Sequence, residues 1–126
     1  MRPLIPIAAA LMVASCAQPQ EPPGAALSRE LAGHVAGPAQ SCISSMPSEN
    51  LRVIDASTIA YGNGRTIYVN HLAAPCPALE QPNTIIVDAR DGSQYCRGNR
   101  VRGLEPGGII PGPWCPLGDW VPYRMP

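Results

Sequence analysis

Hydrophobic residues follow three patterns along this chain. Leu4 to Val13 is an apolar run free of charge, and Leu27, Leu31 and either His34 or Val35 recur at helical spacing. Later, short β-branched runs (LRVI, STIAY, RTIYVN, NTIIVDA, SQYC, NRVRGL) are separated by Gly, Pro, Asn and Asp. The second pattern predicts a short helix over Leu27 to Val35, capped by Ser28. The third predicts strands, because β-branched residues pack well on a pleated sheet and the intervening residues favour turns. Ser57 to Tyr61 runs into Gly62-Asn63-Gly64 and returns as Arg65 to Asn70, which reads as a hairpin. Asp91-Gly92 is expected to turn the Thr84 to Ala89 strand back towards Tyr95, and Trp120 to Tyr123 to form a closing edge strand. The expected fold is all-β with one short N-terminal helix: an antiparallel sheet of five or six strands, curled into a small barrel or sandwich.

Composition narrows this picture. The 126 residues provide for one domain, and 16 Pro and 12 Gly, which interrupt almost every run, argue against long helices in the second half. Nine acidic residues balance nine basic ones, so no net field favours nucleic acid.

The first sixteen residues, MRPLIPIAAALMVASC, have the order of an export signal: a positive charge at Arg2, the apolar run, then small residues. The run is half of the ~20 residues that span a bilayer. Val13-Ala14-Ser15-Cys16 resembles the lipobox of bacterial lipoproteins, which implies a diacylglyceryl thioether on Cys16 and cleavage before it. Several acyl chains anchor firmly where one is marginal. The rival reading is cleavage after Ala17 to leave a soluble secreted protein. Ala17, where an Asp would favour inner-membrane retention, points to the outer membrane, facing the periplasm. Ala17 to Ala26, rich in Pro and Gln, has nothing to bury and reads as a tether of about 30 Å or less. The expected organisation is a lipoprotein signal peptide over 1–15, lipidated cysteine and tether over 16–26, helix and linker over 27–40, and a β domain over 41–126.

Setting Cys16 aside leaves Cys42, Cys76, Cys96 and Cys115, an even number in an oxidising compartment, and so two disulfides. Three connectivities are open to four cysteines. Cys42 with Cys115 and Cys76 with Cys96 is the favoured set, because nesting ties together the two ends of the β region. A metal site is disfavoured by the lack of any Cys-x-x-Cys.

Five segments carry a resemblance: Cys42-Ile43, Val53-Ile54-Asp55 with Thr58-Ile59, Asn70 to Leu72, Cys76 to Leu79, and Cys115 to Pro122. In these the chain resembles a family of small exported proteins and lipoproteins of Gram-negative bacteria. The resemblance implies a small disulfide-bonded β-rich domain and carries over no catalytic residue. Ala56 stands where the family pattern has a second Asp, and Arg97 to Arg100 where it has an acidic residue, which weakens any acidic or metal site.

Candidate chemistry is sparse. Asp55, next to Ser57 and Thr58, reads as a turn residue before a general acid. His34 and His71 are far apart, and no Gly-x-Ser-x-Gly elbow accompanies them. Arg97, Arg100 and Arg102 form a small basic cluster able to hold an anion or a partner's carboxylate, with Arg100 and Arg102 on one face of a strand. Trp114, Trp120 and Tyr123 read as core or lid before a binding platform. The expectation is a non-catalytic binding or structural module, without cofactor or metal, attached to the membrane through Cys16 and engaging an envelope protein. An envelope hydrolase would need Asp55, Asp88 and His71 gathered in one pocket. A small lipoprotein inhibitor of an envelope-attacking enzyme is the remaining alternative, on size and location alone.

Overall fold

A computed structural model describes residues 3, 14–16, 19, 21–22 and 24–126. Most of the expected signal peptide (1–15), and residues 17, 18, 20 and 23 of the expected tether (16–26), lie outside the described residues. Cys16 is described; it is exposed and belongs to neither disulfide. Among the described residues no helix is long and apolar enough to cross a membrane.

The described residues form one helix, α1 (Ala25–Glu30), and ten strands: β1 (Val35–Ala36), β2 (Cys42–Ser44), β3 (Leu51–Asp55), β4 (Thr58–Tyr61), β5 (Thr66–His71), β6 (Thr84–Asp88), β7 (Gln94–Cys96), β8 (Arg100–Leu104), β9 (Cys115–Pro116) and β10 (Trp120–Arg124). Three antiparallel sheets result, in the orders β1-β10-β5-β4-β3, β2-β7 and β6-β8-β9. They do not close into a barrel, and the arrangement is sandwich-like. Thus the all-β, twice-stapled fold holds, but with the chain cut into more and shorter strands than five or six.

Alternation along the central strands explains the layering. Ile59 and Tyr61 of β4 and Trp120 of β10 face the main core, where Ile43, Leu79, Val101 and Leu117 meet them from the smaller sheets and loops. Ala60, Ile67 and Val69 point the other way and are covered by Leu27 and Leu31 of the helix. All of β4 is therefore buried. The helix begins two residues earlier than its leucine spacing suggests, with Gly24 and not Ser28 at its N-cap, and ends at Glu30 with Leu31 as its C-cap. Val35 and Ala36 have already joined the sheet, pairing with Arg124 and Tyr123. Arg52 ties the helix down, bonding Glu30 and the Gly62 carbonyl.

The 57–70 hairpin forms as expected, with Tyr61 opposite Tyr68 and Thr58 opposite His71. Gly62 and Gly64 take φ of +83° and +71°, backbone that side-chain-bearing residues rarely adopt. Two other expectations are corrected. The strand ending at Asp88 does not pair with the Tyr95 strand: β6 pairs with β8, and β7 crosses to β2. Nor is β10 an edge; it lies between β1 and β5. Pro122 is tolerated there because the N and C=O of a strand residue point to the same side. Its carbonyl accepts from Gly37, so its missing donor faces the end of two-residue β1, and the long ladder to β5 loses nothing.

The disulfides join Cys42 to Cys96 and Cys76 to Cys115, which corrects the nested pairing. Cys42 and Cys96 are register partners on β2 and β7. The bonds Arg97 N to Ser41 O and Ser45 N to Ser93 O bracket them as a non-hydrogen-bonded pair, where side chains approach most closely. Once β7 crosses to β2, Cys96 is committed to Cys42, and Cys76 is left to reach Cys115 on β9. The Cys76-to-Leu79 segment then lies over β8 so closely that a Cβ on Gly103 would meet the Ala78 carbonyl oxygen at 1.8 Å.

Asn70 is fully buried. Its amide donates to the Gly118 carbonyl at 2.8 Å and accepts from the Gly118 N–H at 2.9 Å. In this way the two segments Asn70 to Leu72 and Cys115 to Pro122, both singled out in the sequence, hold each other. Asn70→Leu keeps the volume but strands a buried donor and acceptor, so it should cost about 2 to 3 kcal/mol. Urea denaturation reads this directly, and a midpoint equal to the parent's would refute the clamp.

Candidate functional site

Concave surface gathers around the segment from residue 45 to 50. On one side a cleft of about 600 Å³ is lined by Glu49, Leu51, Thr84, Ile85, Val87 and Tyr95, among others. On the other side a cleft of about 480 Å³ includes Ile43, Met46, Glu49, Tyr61, Thr66 and Tyr68 in its lining. Glu49 belongs to both. Three of the chain's four tyrosines form the wall between them: Tyr61 meets Tyr95 edge-on with ring centroids 5.6 Å apart, and Tyr68 lies 6.5 Å from Tyr61. The Tyr61 hydroxyl accepts from the Met46 N–H at 2.6 Å, which fixes the start of the dividing segment. Asn63 reaches Glu49 at 3.4 Å.

Such a site offers flat ring faces for stacking and edge amides and hydroxyls for hydrogen bonding, with little net charge. The sequence reading missed it. The signal lay in the hairpin register, which sets Tyr61 against Tyr68, but nothing local showed that β7 would bring Tyr95 to them.

Burial, and secondly the neighbouring Tyr61, push the Tyr95 phenol above the ordinary value of about 10. The neutral form is favoured in the fold. The associated stability is therefore complete below the unfolded value of about 10 and is lost as pH rises through the folded one. Ultraviolet titration of the phenolates should show a late-ionising tyrosine that Tyr95→Phe removes. If Tyr95→Phe leaves the latest step unchanged, the wall is more solvated than described.

The basic cluster is partly engaged already. Arg97 pairs with Asp119 at 3.4 Å and Arg100 with Asp88 at 2.5 Å. Arg100 and Arg102, on one face of β8 as expected, both sit over the Trp114 ring, with guanidinium carbons 5.2 and 4.1 Å from its centroid. Arg90, which the sequence reading did not single out, joins Arg97 and Arg100 in lining two shallow hollows either side of Gly98-Asn99. Nearby Asp91 is held below the usual carboxylate range, chiefly by hydrogen bonds from Ser93, and caps its own turn.

Of the other candidates, Asp55 and His71 flank Thr58 at one end of the large sheet, and the rest are dispersed. Asp55 accepts from the Ser57 N–H at 2.8 Å, the turn role expected of it. His71 is exposed at the end of β5, while Asp88 lies in a different sheet, paired with Arg100. The pocket that a hydrolase reading needs, with Asp55, Asp88 and His71 together, is not assembled. His34 bonds the Ala32 and Gly64 carbonyls, fastening the chain after the helix to the hairpin turn. Trp120 is core, and Tyr123 packs beneath the helix. Among the described residues no group of three or more His, Cys, Asp or Glu is placed to hold a metal ion.

No protein-family model, no curated protein and no solved structure matches this chain.

Proposed function

We propose that this protein is a non-catalytic binding module of the bacterial cell envelope, anchored by a lipid on Cys16 to the outer membrane and facing the periplasm. The observation that carries the binding role is the pair of clefts sharing Glu49 and divided by the tyrosine wall. Anchorage is supported by the tetrad Val13-Ala14-Ser15-Cys16 and by the exposure of Cys16 outside both disulfides. The two disulfides belong to an oxidising compartment outside the cytoplasm.

On this reading the tether holds the domain within about 30 Å of the lipid, and the clefts receive an uncharged or weakly charged polar segment of an envelope partner. Intact-cell cross-linking tests both halves. A discrete adduct should appear for the parent, weaken for Tyr68→Ala, and vanish for the mislocalised Cys16→Ala form, while the mature mass should include acyl chains on Cys16. Recovery of the monomer alone rejects the binding role, and an unmodified chain starting at Gln18 rejects the anchor.

A further inference from the structure

Among the stretches of the fold without a charged residue are Leu72 to Leu79 and Pro106 to Gly118. They lie side by side. The Cys76–Cys115 disulfide joins them, and a Cβ on Gly112 would come within 2.7 Å of the Ala78 Cβ. The Gly112 N–H donates to the Gly103 carbonyl at 2.8 Å, closing the base of the longer segment. Above that base the chain projects outwards, and Ile109 and Ile110 at its crest are 91% and 84% exposed. Two adjacent isoleucines held almost wholly in water are costly in any isolated soluble domain.

The surroundings indicate what receives them. Next along the chain is Trp114, half-buried, with Arg100 and Arg102 against its ring. Beside it is a shallow apolar hollow formed with Leu72, Ala73, Ala74, Pro75 and Pro116. From the crest towards β8 the chemistry therefore runs from aliphatic to aromatic to the guanidinium of Arg102, Arg100 being paired already with Asp88. A membrane surface presents the matching series: acyl chains, the interfacial zone where Trp is enriched, and phosphates. A convex crest also suits a medium that parts around it, whereas a rigid partner would need a socket of matching shape.

We propose that Ile109 and Ile110 enter the acyl boundary of an anionic bilayer, setting the domain against the leaflet that holds Cys16. The inference rests on the lipid-anchor reading, because an anchored chain meets the bilayer at high effective concentration and two side chains then suffice to orient it.

The test uses the mature chain in vesicles of phosphatidylethanolamine and phosphatidylglycerol, with or without bromine on the acyl chains. With Trp114→Phe in every variant, so that fully buried Trp120 is the one native indole left, Ile110→Trp, and independently Ile109→Trp, should be quenched about twofold by the brominated lipid, since insertion reaches the outer ~5–10 Å of the acyl boundary. Met46→Trp, on an exposed side chain beside the clefts, should be unaffected. Equal emission in both lipids at 109 and 110 overturns the proposal, whether or not position 110 cross-links to a protein instead. Quenching at Met46→Trp as well would mean indiscriminate embedding and also overturns it. Vesicles that fail to retain the chain remove anchor and insertion together. A chain with no lipid on Cys16 that still floats and is quenched at the crest keeps the insertion and removes the anchor.

Discussion

Gly103→Ala should leave almost no native protein. The added methyl would lie 1.8 Å from the Ala78 carbonyl oxygen and 2.5 Å from its carbon. Main-chain atoms cannot rotate out of the way as the tip of a long side chain does. Neither side of the contact has room to retreat. Gly103 is paired with Ile85 within β8, and the Ala78 segment is pinned by the Cys76 disulfide on one side and by buried Leu79 on the other. Overpacking ordinarily costs about 1 to 3 kcal/mol when side chains can adjust. Here the adjustment must come from backbone, and a loss of about 4 kcal/mol or more is expected, most of the stability of a small domain. The readout is the urea midpoint of the oxidised protein, or its yield if none folds. Ala78→Gly in the same background should not rescue it, because the obstructing atom is the carbonyl oxygen. A Gly103→Ala protein with parental stability would mean that the segment does not lie across β8.

The second large effect is on the disulfides. The bridged cysteines are 54 and 39 residues apart in sequence. Opening either loop returns entropy to the unfolded chain worth about 4 kcal/mol in the chain-entropy treatment. Cys76→Ala with Cys115→Ala should cost somewhat more than that figure, because Cys76 is also 1% exposed and packed in the core. Cys42→Ala with Cys96→Ala should lie nearer the figure itself. Removing both bridges should unfold the protein at 25 °C. Thermal melts of the two double variants, and of the parent under reductant, check this. A reduced parent that melts within a few degrees of the oxidised one would falsify the stapled-core account.

What the sequence made legible was local. The 57–70 hairpin was readable because Gly62-Asn63-Gly64 fixes the turn and alternation fixes the faces. The helix was readable from Leu27 and Leu31, though its cap was misplaced because Ser28 is a good cap wherever it stands and Gly24 is an unremarkable one. Asp55 as a turn residue and the shared face of Arg100 and Arg102 were legible for the same reason: each depends on neighbours within a few positions. The disulfide partners were not, because they follow from which strand β7 joins, and Asp91-Gly92 announces a turn without saying where the chain goes afterwards. The tyrosine wall was hidden by the same step. Pro122 misled in another way, since a proline in a strand argues for an edge unless the neighbour on its nitrogen side ends there, as β1 does after Ala36.

The order of the two bridges along the chain has a consequence for survival among envelope proteases. Cys76 lies inside the span closed by Cys42 and Cys96, and Cys96 lies inside the span closed by Cys76 and Cys115. Suppose the backbone is cut twice, once between Cys42 and Cys76 and once between Cys96 and Cys115. The middle piece keeps one half of each bridge and stays joined to both outer pieces. Under the nested arrangement the same two cuts would set that piece free, since its two cysteines would be bonded only to each other. The overlapping links thus let the domain remain one covalent object after damage in its exposed turns, with the N-terminal piece still attached to everything behind it.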